Sequence, residues 1–194
     1  MGRHLKRSIL LSLALLFSLT ILSPEAPAQS TQVDGTVVGI GGRLSGTTRP
    51  FRLIVNHLTP SAAVSELNQA IGSGGQDSLL RALSRMNSGR ISIGNGVGVR
   101  ANAIIADRWN NGGTRLTVFY ERNINFYELR YGTRSEDYKI GYAEIYLDNR
   151  GRGQGTFIPA ARVRLRDGNT WEVEDFGVFP ARLMGLRATG PLVR

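Results

Sequence analysis

Val99-Arg100-Ala101-Asn102-Ala103-Ile104-Ile105-Ala106-Asp107-Arg108-Trp109 runs into Asn110-Asn111-Gly112-Gly113 and returns as Thr114-Arg115-Leu116-Thr117-Val118-Phe119-Tyr120. Val99, Ala101, Ala103 and Ile105 recur at every second position, as do Leu116, Val118 and Tyr120 after the turn. A period of two is the signature of a strand with two distinct faces. The Asn/Gly cluster between the runs supplies residues that tolerate a tight reversal. This stretch is therefore an antiparallel hairpin, and it sets the pattern for its surroundings.

Downstream, Phe126–Tyr131, Tyr138–Leu147, Thr156–Arg166, Thr170–Phe176 and Ala181–Arg187 read as further strands. Asp148-Asn149-Arg150-Gly151 is a turn between two of them. Upstream, Ile91 and Ile93 precede Asn95-Gly96, a strong two-residue hairpin signal. Val33–Ile40 and the alternation Phe51, Leu53, Val55 give two more strands, with residues 41–50 expected as a loop. Two short helices interrupt the series. Thr59-Pro60 is expected to open the first, with Thr as cap and Pro at the first helical position. Val64, Leu67 and Ile71 then recur at helical spacing, and Gly74-Gly75 separates them from Leu79, Leu80, Leu83 and Met86. Asp77 lies four residues before Arg81, the favourable order for a helical ion pair, and Arg85 suits the helix C-terminus. The expected fold is α+β and mostly β. It is a curved antiparallel meander or incomplete barrel of about 8–10 strands, with the inserted helical pair on its concave side. A β-sandwich is the alternative.

Ala161–Glu174 carries a register prediction. Arg162, Arg164 and Arg166 alternate with Ala161, Val163 and Leu165, which resembles a polyanion-binding stripe. A three-residue loop, Asp167-Gly168-Asn169, pairs Leu165 with Trp171 and Val163 with Val173. It also sets Arg164 against Glu172 and Arg162 against Glu174. A two-residue turn would instead mix polar and apolar faces. The stripe is thus expected to be a neutralised outer face.

The chain is arginine-rich and cysteine-free: 24 Lys+Arg stand against 15 Asp+Glu in 194 residues, a formal charge of +9. Such a balance first suggests nucleic acid, but the N-terminus argues otherwise. Arg3, Lys6 and Arg7 precede an apolar run, Ser8–Leu22, which Pro24 breaks. Ala26-Pro27-Ala28 then supplies small residues for a signal peptidase. The apolar run is shorter than the ~20 residues that span a bilayer. Residues 1–28 are expected to be a cleavable secretory signal peptide, cut before Gln29. A single β-rich domain, 29–194, would remain in the periplasm or outside the cell. Removing three basic residues and Glu25 leaves 21 basic and 14 acidic residues, or +7. An exported protein meets anionic envelope glycans or lipids rather than nucleic acid.

The absence of Cys excludes disulfides, thiolate metal sites and cysteine nucleophiles. His57 is the one histidine after the signal segment, so a histidine-rich metal site is excluded and a Ser–His–Asp triad would have to use it. Asp148, Gly151, Gly153 and Gly155 hint at a calcium loop, but Arg150 and Arg152 stand where acids are needed. No cofactor or metal is called for. Paired carboxylates are the surviving catalytic chemistry, drawn from Glu121, Glu128, Glu136 and Asp137 beside Arg122, Arg130 and Arg134. Tyr127, Tyr131, Tyr138, Tyr142 and Tyr146 add aromatic surface suited to carbohydrate or peptide contact.

Glu121-Arg122-Asn123-Ile124-Asn125-Phe126-Tyr127-Glu128 and Arg134-Ser135-Glu136-Asp137-Tyr138, with the turn at Asp148, Gly151, Gly153 and Gly155, resemble a family of small uncharacterised exported proteins. These come mostly from Acidobacteria. The resemblance spans about Val33 to Arg187. Asn123 and Lys139 depart from it, standing where proline is expected. It implies an extracytoplasmic location and no catalytic residues.

The first functional expectation is a non-catalytic, monomeric module that binds a ligand or envelope component through Arg122, Glu128, Arg134, Asp137 and Tyr138, gathered in an ion-pair network. A carboxylate-dependent hydrolase acting on an extracytoplasmic glycan is the second. A structural protein without a pocket is the third.

Overall fold

The structure is a computed structural model and describes residues 30–40, 45–122, 138–166, 170–175 and 181–191. Nine strands lie among them: β1 (Thr31–Gly39), β2 (Thr48–Val55), β3 (Gly89–Ile93), β4 (Val99–Trp109), β5 (Gly113–Glu121), β6 (Ile140–Leu147), β7 (Arg152–Arg166), β8 (Thr170–Asp175) and β9 (Ala181–Thr189). One helical element, α1 (Ser61–Ser84), joins β2 to β3. The expected signal segment and the strand at 126–131 fall outside the described residues.

All pairings are antiparallel. The ladder runs β6-β5-β4-β3-β2-β1-β9-β7-β8, and β6 also pairs with β7. Eight strands therefore close into a barrel, and β8 alone lies off the ring. The expected open, curved sheet is corrected to this closed one. Closure depends on β9, which inserts between β1 and β7, so the first and last strands pair. Gly185, with φ 62°, permits the bulge that shifts the β9 register against both neighbours.

β7 is long enough to serve two places. Residues 152–157 pair with β9 in the barrel wall, while Ala161–Arg166 pair with β8 beyond it. The change follows a register shift against β6 around Pro159, where Tyr142 opposes Ile158 and Ile140 opposes Ala161. Proline lacks the N–H a regular ladder needs and suits such a bulge. In the outer hairpin, Leu165 opposes Trp171, Val163 opposes Val173, Arg164 opposes Glu172 and Arg162 opposes Glu174. This is the register that face consistency predicted.

Alternation divides the apolar residues into two cores. Every barrel strand contributes to the interior core, which includes Val33, Phe51, Leu53, Ile104, Val118, Ile145 and Leu183. The outward side chains of β4–β7, among them Ala103, Phe119, Tyr142 and Ile158, join α1 residues Leu67, Ile71, Leu79 and Leu83. Helix α1 consequently packs on the outer wall, not on the concave side. An eight-stranded barrel is just wide enough for its own side chains and cannot admit a helix. Trp171, Val173 and Leu165 of the β7–β8 hairpin complete this outer core, with Phe119 and Trp171 at 4.5 Å between ring centres.

The two expected helices form one element, kinked at Gly75 (φ 60°, ψ −150°). Pro60, not Thr59, occupies the N-cap position, and no side chain caps the helix. Thr59 is buried instead. Its Oγ1 accepts the Ile104 N–H at 2.9 Å, and its own N–H donates to the Ile104 carbonyl at 2.8 Å. β3 pairs with β4 only as far as Ala101, so Thr59 takes over the ladder where β3 ends. Asp77 bonds Lys139 at 2.7 Å, and that contact, more than Arg81, holds its carboxyl below the usual range.

Candidate ligand-binding site

One end of the barrel opens into a cavity of about 570 Å³. The ends of β1, β2, β3, β4, β5 and β9, the middle of β7 and the turn at 94–98 surround it. Val37, Ile91, Ile93 and Val99 form its apolar sides. Tyr120 and Phe157 form part of its lining deeper in the barrel, with their rings stacked at 5.5 Å and 11°. Both are almost fully buried. Gly141 lies directly opposite Tyr120 across the β5–β6 ladder, and a Cβ there would clash with the Tyr120 ring. The missing side chain lets the ring lie flat on β6, while its hydroxyl donates to the Ile158 carbonyl at 3.1 Å.

The polar part of the wall is small. Thr47, Arg49, Ser92 and Asn95 line it, and among the described residues no Asp, Glu or His does. Arg49 was expected in a loop, but β2 begins at Thr48 and carries it into the sheet. It opposes Val37, an interior residue, and continues the inward series Phe51, Leu53, Val55. Directly opposed residues share a face. Arg49 is therefore directed into the barrel mouth. The apolar rim is partly open to solvent, with Val97 84% exposed.

Of the site expected from sequence, Arg122 and Tyr138 are described and do meet. The Arg122 guanidinium donates to the Tyr138 carbonyl at 2.8 Å, and the Tyr138 hydroxyl donates to Glu174 at 2.9 Å. Glu128, Arg134 and Asp137 lie outside the described residues, as do Glu136, Tyr127 and Tyr131. His57 is exposed at the end of β2. Asp148 uses its carboxylate on its own backbone, accepting the N–H groups of Arg150 and Arg152 at 2.8 Å each. These bonds hold its pKa down and explain the acid as a turn residue. No group of three metal-ligating side chains occurs among the described residues.

Sequence reading missed the cavity because its residues come from seven separate strands and the turn at 94–98. The one legible signal was the extension of the Phe51 alternation back to Arg49, hidden by Pro50. That proline stands just past the β2–β3 ladder, where its carbonyl accepts the Gly94 N–H at 2.8 Å.

No helix among the described residues is long and apolar enough to cross a membrane. Comparison of the chain with protein-family models, with curated proteins and with solved structures yields no match in any of the three.

Proposed function

We propose that this chain is an exported, non-catalytic binding protein that takes a small, largely apolar ligand into the open end of its barrel. The cavity carries the reading. Its volume of about 570 Å³ falls in the range of small-molecule sites. Its wall is mostly aliphatic and aromatic, with a few polar side chains at the mouth. Among the described residues no carboxylate or imidazole lines the cavity, which favours binding over acid–base hydrolysis. The export pattern of residues 3–28 and the resemblance to small exported proteins support a place outside the cytoplasm.

A neutral solvatochromic dye, Nile red, tests the binding claim on the full chain expressed with its own N-terminus. Its emission should rise and shift to the blue with one-site saturation, and Ile93→Arg should abolish the response. Fluorescence unchanged by the protein, or unchanged by the substitution, refutes the reading. N-terminal sequencing of the exported product should begin at Gln29.

A further inference from the structure

We infer that the ligand is an anionic amphiphile, with its apolar body in the barrel cavity and its carboxylate or phosphate on Arg49. This rests on the cavity being the binding site and adds the chemical class of what fills it.

Arg49 is the only charged residue in the cavity wall among the described residues. Its placement is fixed by register rather than by a flexible loop, because Val37 opposes it and Phe51 follows it on the same face. The neighbouring arginine on β2 shows the contrast. Arg52 points outward, opposes Asp34, and bonds that carboxylate at 3.0 Å. Arg115, Arg164 and Arg166 likewise each have a carboxylate partner on the outer surface. Arg49 has none among the described residues.

A cation at the lip of an apolar cavity attracts an anion more strongly than one on an open surface. The low-dielectric wall and partial exclusion of water reduce screening. A guanidinium also matches carboxylate and phosphate oxygens with two parallel N–H donors. A purely apolar ligand would leave this charge unused. A free inorganic anion would leave the aliphatic wall unused. Only a molecule carrying both parts satisfies the site.

The test is displacement of Nile red by dodecanoate, dodecyl phosphate and dodecanol. These share one chain and differ in the head group. At least one of the two anions should bind about tenfold more tightly than the alcohol, and their order identifies the preferred head. Arg49→Ala should reduce the anions to the level of the alcohol while leaving the alcohol unchanged. Arg49→Lys should restore part of the difference. The advantage of the anions should shrink as salt rises. Arg49 is exposed, so both variants should fold, which thermal melts check. Equal binding of alcohol and anions, or equal weakening of all three by Arg49→Ala, overturns the head-group assignment while sparing the cavity. Dye binding that none of the three displaces overturns the amphiphile class. Failure of the dye itself to bind overturns both readings.

Discussion

Arg164 stands opposite Glu172 in the β7–β8 ladder, yet its guanidinium bridges Glu174 at 3.5 Å, while Glu172 takes Arg166 at 3.0 Å. The ion pairs run diagonally across the register. Long side chains lean along the strand and reach the i, j±2 neighbour. All four side chains are at least half exposed, so screening keeps each pair weak.

The two glutamates are therefore unequal. Glu174 also accepts the Tyr138 hydroxyl, which ties β8 to the residues before β6. Glu172→Ala should lower stability by less than about 0.5 kcal/mol and Glu174→Ala by about 1 kcal/mol. Urea unfolding measures both. Equal losses would mean that the Tyr138 bond adds nothing.

Thr59 should matter more than either, although it lies outside every strand. Thr59→Val keeps the shape but removes the acceptor of the buried Ile104 N–H. An unsatisfied buried donor costs about 1–3 kcal/mol. Thr59→Ser keeps the oxygen and should cost about 1 kcal/mol, the share of one lost methyl group. If valine proves as stable as serine in urea, Thr59 does not complete the β4 ladder.

These cases show what alternation makes legible. The β7–β8 register was readable because both strands alternate and only one loop length aligns their faces. Barrel closure was not, because Val33 and Val37 alternate like any strand and nothing local announces that β9 will be their partner. The helix stripe Leu67, Ile71, Leu79, Leu83 was readable, but not its side of the sheet. That depended on Phe119 and Tyr142, whose large outward rings make the outer wall apolar. Arg49 is not legible because the proline beside it reads as the last residue of a loop. Thr59 was lost because Thr-Pro before a helix is ordinarily a cap, whereas here a strand end competes for the hydroxyl.

Tyr146 gives a pH-dependent prediction. Burial, followed by the hydrogen bond to Glu144 and its negative charge, pushes the phenol up to about 12, against an opposing pull from Arg115. Its ring packs on Trp109 at 4.5 Å. The folded state thus holds the proton more tightly than the unfolded chain. Its stabilising contribution is full below pH 10 and is lost as pH rises through about 12. Glu144→Gln should bring the Tyr146 titration down towards 10, followed by phenolate absorbance with Tyr146→Phe to assign it. Burial also raises Tyr142, so its transition should remain above that of Tyr146. An unchanged Tyr146 titration in the glutamine variant would leave burial as the sole cause.

Gly141 links the barrel wall to the cavity. Tyr120 is 5% exposed, stacked on Phe157 and bonded to Ile158, so its ring has little room to yield. Gly141→Ala would place a methyl group in clash with that ring, forcing it towards the cavity and away from the Ile158 carbonyl. Overpacking of this kind costs about 1–3 kcal/mol. Nile red affinity should fall with it, since the displaced ring takes up ligand space. Tyr120→Phe removes only the hydroxyl and should leave dye binding close to that of the parent chain. Tyr120→Leu in the Gly141→Ala background relieves the clash and should recover stability relative to additive losses, with a coupling of about 0.5–3 kcal/mol. A neutral Gly141→Ala, with dye binding intact, would show that the Tyr120 ring does not fix the shape of the cavity.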